Sequence, residues 1–176
     1  VYVEPYVGSG AVFFHVPPAD FEVINDLCWD IANLYRVLQG KDTSARFRQL
    51  AQFSPYSRRL WQYCRGYSGG DSVERAWAWW LAACQCYGGW WGRAWGSAVG
   101  SSAAGMAQTT SDWISKVAVC QIVHRRLRGV TIECADGVDV IDRYDAEGVF
   151  MYCDPPYVQS TRRSGEYAYE MSDEDH

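Results

Sequence analysis

The sequence predicts an α/β fold: a doubly wound sheet interrupted by a mainly helical insert. Three observations carry this. The chain opens as strand, glycine-bearing turn, helix, strand and acid, the order in which a doubly wound sheet begins. A strand–helix–strand rhythm returns between Val130 and Cys153. The stretch between them is helical by pattern and basic by charge.

Val1 to Glu4 reads as the first strand, followed by the turn "VGSG". Ala11 to Val16 is expected to form a short helix that Pro17 and Pro18 end. Phe21 to Asn25 is the second strand. Asp26 opens a helix to about Gln39, with Ile31, Leu34, Tyr35 and Leu38 on one face and Gly40 as its stop. In the middle, Thr43 is expected to cap a helix reaching Gln52. Ser54 caps another that starts on Pro55 and ends before Gly66. Asp71 with Glu74 forms a capping box for a helix to about Tyr87. "GGWWGRAWGSAVGSSAAG" has no period and reads as a loop with room for a short hairpin. A helix from Ser111 to Arg128 leads back, stopped by Gly129. Val130 to Cys134 is then a strand, Val138 to Tyr144 a short helix, and Val149 to Cys153 an apolar strand. These patterns divide the chain into α/β parts at 1–38 and 119–176 and a basic insert at 39–118.

Charge separates the same regions. The net charge of −5 discourages a polyanion partner until it is resolved along the chain. From Arg36 to Arg128 thirteen basic residues face four acids, or +9, while the flanks hold three basic and seventeen acidic residues, or −14. Fourteen of the sixteen basic residues are Arg, whose planar fork suits phosphate and base edges, so the middle alone suggests nucleic acid. No apolar run reaches the ~20 residues of a membrane span, and nothing at the start resembles a signal peptide. Seven Cys, with Cys84 and Cys86 as a lone C-x-C pair, lack a zinc-site partner pair; they read as reduced core residues of a cytoplasmic protein without metal. His15, His124 and His176 pair with no other ligand type. Trp77, Trp80, Leu81 and Cys84 recur at helical spacing and read as core, whereas Trp90, Trp91 and Trp95 stand among glycines and are better placed to reach DNA.

Two motifs carry chemistry. In "VEPYVGSG", Glu4, Pro5 and Tyr6 end a strand, and Gly8 and Gly10 allow close approach of backbone to a ligand. Asp26 ends the next strand, where an acid can accept from ribose hydroxyls. The departure from G-x-G-x-x-G argues for an adenosine ligand other than a dinucleotide. In "DPPY", each proline forces the residue before it away from helix, so Asp154 and Pro155 are both held extended. The Asp154 carboxylate and the Pro155 carbonyl, beyond which Pro156 stiffens the turn, become two fixed acceptors beside the ring of Tyr157. That set suits a planar amine that is gripped and stacked.

"VEPYVGSGAVFF", "VINDLCWDIANLYRVL" and "MYCDPPYVQSTRRSGEYAYEMSDEDH" resemble the Dam-type family of DNA adenine-N6 methyltransferases, especially its phage-like members. The resemblance covers about the first 40 and last 50 residues. It implies a Rossmann-like S-adenosylmethionine-dependent methyltransferase sheet and methylation of adenine in double-stranded DNA, with the base flipped out of the helix. Glu4, Pro5, Tyr6, Gly8 and Gly10 would then line the cofactor pocket, Asp26 would hold the ribose, and Asp136 would contact the cofactor adenine. Asp154 and Pro155 would accept the two amine protons, with Tyr157 stacked on the base. The insert stands where the family carries its target recognition domain. Arg58, Arg59 and Arg65 on one candidate helix, Arg93 on the aromatic loop, and Arg162 and Arg163 past the clamp are the candidate DNA contacts. Related enzymes with this turn act on ribosomal RNA or protein glutamine, but there it usually follows the glycine turn more closely than the 150 positions between Glu4 and Asp154.

Both ends read as cut. Val1 begins inside a strand, and "SDEDH" places Ser172 as a helix cap without a helix body. The alternative functions are therefore a defective remnant that only binds DNA, or a methyltransferase acting on RNA.

Overall fold

The structure, a computed structural model, describes residues 1–89, 91–97, 100–157, 169 and 171–172. Its strands and helices begin with β1 (Tyr2–Glu4), β2 (Glu22–Asn25), α1 (Trp29–Gln39), α2 (Lys41–Gln52), α3 (Arg58–Arg65) and α4 (Ser72–Cys84). They continue with β3 (Ser102–Ala103), β4 (Met106–Ala107), α5 (Gln108–Leu127), β5 (Val130–Glu133), α6 (Gly137–Tyr144) and β6 (Phe150–Met151). The chain divides into two compact units, Val1–Ala32 with Gly129–His176, and Asn33–Arg128.

The first unit holds a parallel four-stranded sheet in the order β5-β2-β1-β6. Every residue of β1 and β2 is buried, as expected of central parallel strands covered on both faces. Val3 and Val23 meet Val140 of α6, and Ala135, Tyr144, Val149 and Met151 pack around them. Three polar residues are nevertheless buried in these short strands, Glu4, Glu22 and Asn25. Each has a partner: Glu4 accepts from the Tyr2 hydroxyl, Glu22 from the Ala19 N–H at 3.1 Å, and Asn25 bonds main chain on two sides. Burial and the bond to Glu4 push the Tyr2 phenol well above its ordinary range.

The short helix expected at Ala11–Val16 is not formed; the segment is a run of turns. Phe14 N–H bonds Gly10 O at 3.0 Å and Val16 N–H bonds Val12 O at 3.1 Å. Six residues rich in β-branched and aromatic side chains do not offset the cost of helix nucleation. Burial of the Phe13 side chain holds the turns down instead. The last strand is also shorter than the apolar run Val149–Cys153, because only Phe150 and Met151 pair with β1.

In the second unit Trp61, Cys64, Ala78, Leu81, Ala82, Cys86 and Trp113 form one core cluster. Trp77, Trp80, Cys84 and Trp95 pack against it, so the helical tryptophans are core, as their spacing indicates. Its indoles find acceptors: Trp61 Nε1 donates to Ala82 O at 3.1 Å, and Trp77 and Trp113 both reach Ser54 at 2.9 Å, one its Oγ and one its carbonyl. That use of Ser54 explains a second correction. Ser54 caps nothing; Ser57 is the N-cap of α3, its Oγ accepting from Leu60 N–H at 3.4 Å. Likewise α2 starts after Gly40, and Thr43 turns its hydroxyl to Val37 O at 2.8 Å. Asp71 caps α4 as expected, accepting from the N–H groups of Val73 and Glu74. Arg46 holds Glu74 at 2.7 Å and also pairs with Asp71. Part of the aromatic loop pairs as the hairpin β3–β4, with Ala104 at φ 51° and Gly105 at φ 74°. All seven cysteines are free. Among the described residues no helix is long and apolar enough to cross a membrane.

Candidate active site at the carboxyl end of the sheet

Three connections leave the carboxyl ends of β1, β2 and β5, and a fourth leaves β6. After β1 the chain turns at Gly8 and Gly10, with φ 49° and 70°, conformations that a side chain strains. Gly8 N–H donates to Asp26 Oδ2 at 2.9 Å, and Cys28 N–H donates to Asp26 Oδ1 at 2.8 Å. One carboxylate thus anchors the glycine turn and the approach to α1. Burial pushes the Asp26 carboxyl above its ordinary value, and these two N–H groups oppose that rise.

After β5, Asp136 caps α6, its carboxylate accepting from Val138 N–H at 2.8 Å. Gly137 follows. A Cβ there would overlap the ring of Tyr6, so glycine at this position lets that ring lie against the first turn of α6. Burial raises the Tyr6 phenol, and the charges of Asp136 and Cys153 raise it further. Tyr6, Asp136 and the residue preceding Asp154 therefore share one locality.

After β6, Tyr152 N–H bonds Val3 O at 2.9 Å, and the chain leaves the ladder as Asp154-Pro155-Pro156-Tyr157. Asp154 is exposed, the prolines are half-buried, and Tyr157 is 55% exposed. The acid and the aromatic ring both stand at the surface beyond the strand end.

Residues 100–176 match the D12 class of N6 adenine-specific DNA methyltransferases. This agrees with the Dam-type resemblance drawn from the motifs. The D12 match takes in β5, α6, β6 and the Asp154–Tyr157 turn; Glu4 to Asp26 precede it. No curated protein matches the chain. The matched class is described as adenine-specific, acting on DNA at N6.

Of the residues assigned to the cofactor from sequence, Tyr6, Gly8, Gly10, Asp26 and Asp136 all belong to loops at the carboxyl end of the sheet. Glu4 and Pro5 are buried below them: the Glu4 carboxylate is engaged by Tyr2, and the Pro5 carbonyl by Asn25. Asn25 and Gly137 are the participants that sequence reasoning missed. Asn25 looked like an ordinary strand end before an acid. The signal for Gly137 was available as a glycine directly after Asp136, but its partner ring lies 131 positions earlier.

Within the second unit, Arg58, Arg59, Arg65 and Arg93 are all exposed. The Arg58 guanidinium lies 4.9 Å from the centre of the Trp95 ring, and that of Arg65 lies 5.3 Å from Trp61. Stacking on a ring holds a guanidinium in place while leaving its N–H edge open. Trp91 is exposed and stacks on Trp79 at 5.2 Å. Arg162, Arg163, Trp90 and the helix start expected after Ser172 lie outside the described residues.

Proposed function

We propose that this chain transfers a methyl group from S-adenosylmethionine to the N6 amine of adenine in double-stranded DNA. The observation that carries it is convergence. Counted within the sheet alone, the strands run 3-2-1-4, the opening of the doubly wound order, whose ligands bind outside the carboxyl ends where the order reverses. That reversal falls between β1 and β6, the strands that deliver the Tyr6–Gly10 turn and the Asp154–Tyr157 turn.

The residues present suit the cofactor. A side chain at Gly8 would meet nothing within 4 Å, so the glycine turn presents open backbone on that side. Asp26 keeps lone pairs beyond those used by Gly8 and Cys28. Tyr6, Gly8 and Gly10 would hold the methionine side, Asp26 the ribose and Asp136 the adenine. When bound, S-adenosylmethionine supplies an electrophilic methyl group on a sulfonium. The Asp154 carboxylate and Pro155 carbonyl accept hydrogen bonds from the two N–H groups of the target amine. This turns the nitrogen lone pair out of conjugation with the ring and aims it for attack. Fixed acceptors of this kind need no reorganisation at the moment of reaction. Tyr157 stacks on the extruded base and offsets part of the few kcal/mol, roughly, that leaving the duplex costs.

The basic stretch 39–118 serves as the target recognition domain in this proposal, between α/β parts at 1–38 and 119–176. Arg58 and Arg65, held on their rings, are its first phosphate contacts, with Arg59 and Arg93 beside them. The test is incubation of the chain with S-adenosylmethionine and duplex DNA, followed by mass spectrometry of the released nucleosides. N6-methyladenine in the DNA supports the proposal. Equal or greater methylation of an RNA of the same sequence would overturn the choice of substrate.

A further inference from the structure

We propose that Asn25 is the positioning residue of this site, setting the two walls of the cofactor pocket from one side chain. This rests on the cofactor assignment above, but the geometry stands without it. Asn25 is the last residue of β2 and only 1% exposed. Its Nδ2 donates to Pro5 O at 2.8 Å and to Ala135 O at 3.0 Å, and its Oδ1 accepts from Ala135 N–H at 2.9 Å. Its own carbonyl accepts from Val7 N–H at 2.8 Å. Both amide protons and the side-chain oxygen are therefore engaged.

The partners are what give the residue its role. Pro5 and Val7 flank Tyr6, and Ala135 immediately precedes Asp136 and Gly137. All lie past the ends of β1 and β5, where the ladder no longer supplies bonds, so Asn25 extends the sheet's order into both loops. Tyr6 and Gly137 touch only if those loops keep their spacing. Asp, Leu and Ser do not fit. Asp keeps the acceptor for Ala135 N–H but sets a negative charge against the carbonyls of Pro5 and Ala135. Leu leaves three main-chain groups without partners. Ser is too short to bridge both sides.

The experiment compares Asn25→Asp with Val23→Ala, a core truncation two residues earlier on the same strand that leaves those bonds in place. Amide hydrogen exchange reads the loops, and calorimetry with S-adenosylhomocysteine reads the pocket. In Asn25→Asp, exchange at Val7, Gly8 and Ala135 should rise at least tenfold together, while β1 and β2 amides follow the global stability loss seen in Val23→Ala. Affinity for S-adenosylhomocysteine should fall at least tenfold in Asn25→Asp and less than threefold in Val23→Ala. Equal exchange profiles in the two variants, or faster exchange in one loop only, would overturn the positioning role. If Asn25→Asp fails to fold, Asn25→Ser carries the same comparison. A parent chain that shows the exchange pattern yet binds no S-adenosylhomocysteine would refute the cofactor assignment and leave the two-loop coupling established.

Discussion

The ring of Tyr6 occupies the space in which a Cβ of residue 137 would stand. A methyl group at that position must displace either the ring or the first turn of α6. Gly137→Ala is therefore expected to cost about 1–3 kcal/mol of stability, the range for overpacking. It should also weaken S-adenosylmethionine binding, because the ring belongs to the glycine turn. Thermal melts and calorimetry measure the two effects. In a Tyr6→Ala background the stability cost of Gly137→Ala should largely vanish, and full additivity would exclude the ring as its cause.

Asp26 links pH to stability. Its carboxyl is raised above the ordinary value of 3.8, mainly by burial. A raised carboxyl favours the folded state in its protonated form. Its contribution is complete below the unfolded value and is lost as pH rises through the folded one. Asp26→Asn removes that titration. Parent and variant followed by urea unfolding should diverge as pH rises above 3.8, with the variant gaining relative to the parent. A variant that loses stability relative to the parent as pH rises would contradict the burial effect. At neutral pH Asp26→Ala should weaken S-adenosylmethionine binding before it affects any later step.

The sheet was legible in the sequence because its strands are short apolar runs bounded by glycine, proline and acid, and each was recovered within a few residues. The expected helix at Ala11–Val16 failed for a local reason, too few residues to repay nucleation. The cap at Ser54 failed for a tertiary one, since its hydroxyl accepts from the Trp77 indole, while Thr43 turns its own hydroxyl back to Val37 O. In the site, glycines and acids could be named, because turn chemistry restricts which residues are tolerated. What sequence could not supply was pairing. Nothing in "VIND" says that the Asn25 amide reaches Pro5 on one side and Ala135 on the other.

Asp154 is exposed at the end of β6, so its replacement should leave folding alone. Asp154→Ala is expected to change stability by less than about 0.5 kcal/mol, as exposed positions usually do. S-adenosylmethionine affinity should stay within about twofold of the parent, while methyl transfer to DNA falls below detection. Calorimetry and nucleoside mass spectrometry on the same preparation check both. Transfer at the parental rate would remove Asp154 from the clamp.

Arg58 and Arg65 are each stacked on a tryptophan. If each neutralises one DNA phosphate, the alanine variants should each flatten the dependence of log affinity on log salt by about 0.9. Arg65→Lys should keep the slope but lose the stacked geometry, with weaker binding at every salt concentration. Slopes unchanged in Arg58→Ala and Arg65→Ala would move the DNA contact elsewhere.

The pairing of β2 with β5 has a consequence for how the chain is made. These strands are neighbours in the sheet, yet all of Asn33–Arg128 is synthesised between them. Of the described strands only β1 and β2 precede the helical unit, and a two-stranded pair by itself is marginal in water. The helical unit is continuous in sequence, and its helices α1 to α4 are made well before β5. Its folding shortens the free chain between β2 and β5, and each halving of a flexible loop recovers about 0.6 kcal/mol of closure entropy. An insert that folds early would bring the two halves of the sheet within reach of each other. Sequence changes that slow its folding should lower the yield of assembled sheet without touching a single sheet residue.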